Sequence, residues 1–157
     1  MQFKYYGRTM TSAIQNAKQV VRTYQAAFDT CPLPELANVL AAHTAPDYHW
    51  RGMHPFYEQE GTEAAARVFW KPLRSALTNM QRREDVFMAG LNDADDQETL
   101  WVASMGHMMG LFDAAWLGIP PTNRMAFLPY AEFHQVDGEQ IVQSAFFCDV
   151  ISVMRQA

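Results

Sequence analysis

The chain has 157 residues, 49% of them hydrophobic and 18% charged, with a formal net charge of −5. That length fits one domain with a sizeable core. The acidic balance and scattered basic residues exclude a nucleic-acid-binding protein, which needs a basic face to neutralise phosphates, and no apolar run is long enough to cross a bilayer.

Residues 1–10 read as a tail or short edge segment, and the first seven lack the apolar core of a signal peptide. The domain proper runs over 11–157. Thr11 or Ser12 is a candidate cap for a helix in which Ala13, Ala17, Val20, Val21, Tyr24, Ala27 and Phe28 recur at three- and four-residue steps. Pro32 and Pro34 break it, and a short second helix is expected over 35–43. Ala45-Pro46-Asp47 reads as a turn before a strand over 48–52. A third helix is expected from Thr62, with Ala66, Phe69, Trp70, Leu73 and Leu77 on its apolar side. Pro72 must bend that helix or start a new turn, because it has no amide donor.

The pattern then changes to strands: 81–91, 99–112, 124–136 and 140–153. An acidic turn, Asn92-Asp93-Ala94-Asp95-Asp96, separates the first two, and Asp137-Gly138-Glu139 reads as a hairpin turn between the last two. Gly106 and Gly110 inside a strand predict bulges or sharp bends, as a strongly curved sheet requires. The fold class is therefore α+β, a curved antiparallel sheet wrapped on about three helices from the N-terminal half. Such a concavity is a natural ligand site. Ten Met and a 13% aromatic share supply adaptable side chains for its wall or for a soft core.

Several residues are candidates for chemistry. Asp149 lies in the apolar run Ala145-Phe146-Phe147-Cys148-Asp149-Val150-Ile151. A buried carboxylate there would have a raised pKa suited to general acid or base work, while its other reading is a cap at the strand end. By alternation His107 shares a face with Trp101, Met105 and Met109, and its flanking glycines open space for a ligand. Glu132 and His134 share a face with Leu128 and Tyr130; alternation does not say whether they enter the pocket, and one of the two is expected to reach solvent. Trp50, His54, Phe69, Met105, Met109, Trp116, Tyr130, Glu132 and Phe147 are the expected pocket residues. His49 and His54 have no supporting carboxylate spacing, so no metal site is expected. No G-x-S-x-G and no phosphate-cradling glycine loop occurs, so no cofactor is expected. Cys31 and Cys148 match neither zinc nor C-x-x-C spacing and read as buried thiols of a cytoplasmic protein.

The stretch Gly106-His107-Met108-Met109-Gly110 followed by Leu117-Gly118-Ile119-Pro120-Pro121-Thr122-Asn123 resembles the G-T-H-x-G…G-I-P-P-T-G signature of SnoaL-like polyketide cyclases and predicted ester cyclases. Asp137-Gly138-Glu139-Gln140-Ile141-Val142, then Asp149 through Gln156, is similar to the family's D-G-K-I-V…D-x-L-x-L-x-x-Q ending. Gly61 and Phe69-Trp70-Lys71-Pro72-Leu73 also fit. The resemblance covers nearly the whole chain from Thr11.

The resemblance implies a cone-shaped fold like nuclear transport factor 2, usually as a homodimer, and acid/base chemistry on an apolar small molecule without a metal. Two positions depart from the pattern. Ala145-Phe146 stand where many relatives carry a Trp-Asp pair with the acid/base aspartate, so Asp149 matches the family's second aspartate. Asn123 replaces a glycine. The expectation is a cyclase- or isomerase-type enzyme acting on a carbonyl-bearing substrate through Asp149, or through Glu132, with His107 bonding the substrate oxygen or orienting the carboxylate. A hydrolase or dehydratase on the same scaffold stays open. The rival reading is a non-catalytic ligand-binding or dimerisation module.

Overall fold

The computed structural model describes residues 8–157. The tail or edge segment expected over 1–10 lies outside the described residues up to residue 7, and residues 8–10 open the first helix.

Helix α1 (Arg8–Thr30) is amphipathic: Ala17, Val21, Tyr24 and Phe28, at steps of four, three and four, are all buried. A single 3-10 turn (Leu33–Glu35) carries Pro34 and leads into α2 (Leu36–His43). β1 (Thr44–Gly52) begins earlier than expected and absorbs Ala45, Pro46 and Asp47. A short β2 (Glu58–Glu60) pairs with it at the sheet edge.

Residues 61–76 form one run of helix in three parts. α3 (Gly61–Ala65) passes into a π-helical turn (Ala66–Trp70) and then α4 (Lys71–Ala76), with Pro72 in the first turn of the last part. Proline lacks the amide donor that an uninterrupted helix needs there. The last part of the helix starts at Lys71, one residue before Pro72, and the wide turn before it puts Phe69 and Trp70 side by side in the core.

Four long strands follow: β3 (Leu77–Leu91), β4 (Leu100–Phe112), β5 (Arg124–Asp137) and β6 (Gln140–Cys148). The chain ends in α5 (Val150–Gln156), not in strand as expected. The six-stranded sheet has the order β2-β1-β6-β5-β4-β3, antiparallel except for β1 beside β6. It is curved and does not close. The curvature has a visible cause at Gly106. β3 shifts register between Glu84 and Val86, and a Cβ on Gly106 would lie 2.0 Å from the Arg83 carbonyl oxygen. Only glycine lets the two backbones meet at this bulge.

Candidate functional site

Alternation along the strands sorts their side chains into two sets. On β5 the inward set is Ala126, Leu128, Tyr130, Glu132, His134 and Val136, all buried. Its neighbours on the concave face include Ser104 on β4 and Ser144 and Phe146 on β6, each directly opposite: Ser104 and Phe146 flank Glu132, and Ser144 faces His134. Helix α1 lies over this face and brings Tyr24 and Asp29 down onto it.

A buried polar cluster results. Arg82 donates through Nη1 to Glu132 Oε2 at 2.8 Å and through Nε to both Asp29 oxygens at 3.1 and 3.3 Å. His134 Nε2 stands 3.5 Å from the same Glu132 oxygen, and its Nδ1 is 2.7 Å from the Ser144 hydroxyl. The hydroxyl of Tyr48 bonds Ser144 in turn. On the other flank Ser104 donates to Glu84 at 2.8 Å, so it accepts from the Tyr130 hydroxyl, also at 2.8 Å. Glu84 pairs with Arg22 of α1 at 2.6 Å. The Arg82 guanidinium also lies over the Tyr130 ring, 5.2 Å from its centre.

Burial and charge set the ionisation of these groups. Burial alone would raise the Glu132 pKa, but His134 and Arg82 outweigh it and bring it down to about 2. Burial likewise opposes charge on Arg82, and Glu132 with Asp29 overcomes it and holds the guanidinium protonated. Asp29 is displaced upward by burial, against the pull of Arg82. Tyr24 and Tyr48 are both pushed up by burial, so both are neutral phenols.

The cluster is incomplete within the chain. Arg82 Nη2, Glu132 Oε1 and His134 Nε2 are buried and have no hydrogen-bond partner. Buried polar atoms are normally satisfied, so these atoms of one ion-paired cluster take a water or a ligand group as partner. Beside them lies an aromatic cluster. Phe146 stacks on Tyr130 with ring centres 5.8 Å apart and meets Trp70 at 4.8 Å and Phe69 at 4.9 Å. Trp50 and Trp116 also pack on Phe69, and the indole N–H groups of Trp50, Trp70 and Trp116 are buried without acceptors. Tyr48, at the far end of the polar chain, lines a groove of about 580 Å³ with Pro46, Asp47, His49, Glu60 and Gly61.

The expected site residues divide between the two faces. Trp50, Phe69, Trp116, Tyr130 and Glu132 lie in the interior. Glu132 and His134 are both fully buried, so neither reaches solvent. Asp149 does not enter the interior. The strand ends at Cys148, and Asp149 is exposed, capping α5 by accepting from the Ser152 amide. His107 does share a face with Trp101, Met105 and Met109, but it is the convex face, and His107 pairs there with Asp85 at 3.4 Å. Met105, Met109 and Phe147 are on the same outer side, with Phe147 exposed. β4 is apolar on both faces, so alternation grouped these residues correctly without showing which group is inside. His54 is exposed and bonded to Tyr57. Cys31 and Cys148 are both free, and burial followed by the Asp149 charge pushes the Cys148 thiol up to about 12.

Sequence reasoning missed Arg82, Asp29, Ser104, Ser144 and Tyr48 as site residues. Arg82 sits in Arg82-Arg83-Glu84-Asp85, where charge on both faces hides the inward pair Arg82 and Glu84.

An open cone of curved sheet lined by helices is the architecture of nuclear transport factor 2-like proteins. Comparison with solved structures bears this out. A protein from Jannaschia sp. CCS1 provisionally named a SnoaL-like polyketide cyclase superposes with a TM-score of 0.68 at 18% identity, covering 96% of this chain and 94% of that one. IdmH from Streptomyces antibioticus, provisionally named a polyketide cyclase, gives 0.69 at 17% identity, over 89% of this chain and 96% of its own. A nuclear transport factor 2-like protein from Burkholderia thailandensis gives 0.61 at 19% identity, over 90% and 95%. The chain therefore has the SnoaL-like, nuclear transport factor 2-like fold. No family model matches the sequence, and no curated protein matches it.

Proposed function

We propose that this protein is a small-molecule enzyme of cyclase or isomerase type, acting by metal-independent proton transfer on an apolar, carbonyl-bearing substrate. One observation carries the reading: within the buried Arg82–Glu132 ion pair on the concave face, Nη2 of Arg82 and Oε1 of Glu132 are both unpartnered. Arg82 Nη2 donates to the substrate carbonyl oxygen and stabilises the charge that develops there. Glu132, ionised at neutral pH, takes the proton from the adjacent carbon through Oε1. Arg82 Nη1 and His134 hold the carboxylate in place through its other oxygen, Oε2.

A second reading, a ligand-binding module without catalysis, has its own support. Phe146 fills the place where relatives carry an aspartate, and a carboxylate with a pKa of about 2 is a weak base. Deuterium exchange separates the two. 2-Acetonaphthone is incubated with the protein in D₂O, and loss of its methyl proton signal is followed by NMR. The enzyme reading expects exchange faster than buffer that Arg82→Met and Glu132→Gln abolish. Binding without exchange supports the module, and no binding overturns both.

The convex face supports a homodimer: Met125, Phe127 and Phe147 are exposed there beside Met105, Met109 and Phe133. Among the described residues no helix is long and apolar enough to cross a membrane. Free thiols at both cysteines favour a cytoplasmic location.

A further inference from the structure

The charges around the unpartnered Arg82 and Glu132 atoms restrict what they hold. Asp29 and Glu132 flank a single guanidinium, Arg82. With His134 neutral the four groups sum to −1, and with His134 protonated they sum to zero. In neither state is there net positive charge to neutralise an anion. The nearest further ion pair, Arg22 with Glu84, is itself balanced. A carboxylate presented to Arg82 Nη2 would bring a third negative charge against Glu132 and Asp29 in a buried site, where an uncompensated charge is costly. A carbonyl oxygen accepts from Nη2 without that cost. Glu132 Oε1 only accepts, so it needs a proton-bearing group beside the carbonyl.

We infer that this site selects a neutral carbonyl head whose neighbouring atom carries a proton, rejects carboxylates, and is filled most stably by a primary carboxamide. This rests on the reading above. In a reacting ketone the proton-bearing neighbour is the carbon acid; in a carboxamide an N–H takes its place, bonds Glu132 and does not react. Carboxamides of substrate shape are therefore its stable mimics and inhibitors.

The test measures binding of 2-naphthamide, 2-acetonaphthone and 2-naphthoate by isothermal titration, with the same apolar body on each. The expected order is amide tightest, then ketone, with naphthoate at least tenfold weaker than the amide. Glu132→Gln should bring the amide and naphthoate within about threefold of each other. Because Glu132→Gln disturbs a buried ion pair, Asp29→Asn is the companion variant; it removes one negative charge without touching either unpartnered atom and should raise naphthoate affinity. Near-UV circular dichroism checks that each variant is folded. Naphthoate binding as tightly as the amide in the natural protein overturns the inference while leaving the interior site standing. Failure of all three probes to bind overturns the site itself.

Discussion

Phe146→Ala tests whether the aromatic cluster is a packed core element. The side chain is fully buried and touches Tyr130, Trp70 and Phe69 within 6 Å between ring centres. Burying a phenylalanine and then truncating it costs about 3–5 kcal/mol, the transfer term plus the cavity left behind. The three ring contacts place this site toward the upper end. For a chain of this size about 1 kcal/mol moves the melting temperature by roughly 2–4 °C, so the expected drop is roughly 6–20 °C. Urea unfolding followed by tryptophan fluorescence, with a thermal melt beside it, measures both. A loss under about 1 kcal/mol would refute the reasoning, because it would mean that Phe146 borders open space and not a close-packed cluster. Phe146→Asp sharpens the test. Its carboxylate would lie directly across from Glu132, so its destabilisation should exceed that of Phe146→Ala at pH 7 and shrink as the pH falls toward 4.

Further outcomes follow from other groups. Glu132 has a folded-state pKa of about 2 against 4.5 for the free side chain, so its contribution is fully present above pH 4.5 and is lost as pH falls toward 2; Glu132→Gln should remove a pH-dependent component on the order of 3 kcal/mol from urea unfolding curves between those limits. Asp29 is shifted the other way, so the difference between natural protein and variant, not the absolute slope, is the quantity to read. Asp149→Ala removes the cap on the Ser152 amide and should cost about 0.5–2 kcal/mol, seen first as faster exchange of that amide; because Asp149 is outside the cone, 2-acetonaphthone binding should be unchanged. Gly106→Ala drives a methyl into the Arg83 carbonyl and should destabilise by about 1–3 kcal/mol or more; an unchanged melt would contradict the close approach of β3 and β4.

The architecture was largely legible because its signals are local. Helical spacing in Ala17, Val21, Tyr24 and Phe28, glycines inside β4 and the Asp137-Gly138 turn each act within a few residues. The interior was harder to read. Alternation joined Glu132 to His134 and His107 to Met105, but the side facing the helices depends on packing from distant parts of the chain. With apolar residues on both faces of β4, hydrophobicity could not choose. Asp149 misled for a related reason. A carboxylate within an apolar run reads as a buried acid if the strand continues and as a helix cap if it stops, and the β5–β6 pairing ends at Cys148. Arg82 and Asp29 were invisible because their partnership spans 53 residues of sequence.

The two arginines that join α1 to β3 run in opposite senses: Arg22 reaches from helix to strand to meet Glu84, and Arg82 reaches from strand to helix to meet Asp29. Along the helix the order is positive then negative; along the strand it is also positive then negative, and the two meet head to tail. Reversing the helix over the sheet would set Arg22 against Arg82 and Asp29 against Glu84, like facing like. Sliding α1 by one turn, about 5.4 Å, would part both pairs at once. The charges thus work as a two-pin key that admits α1 in one direction and at one depth, a discrimination that greasy surfaces alone cannot supply.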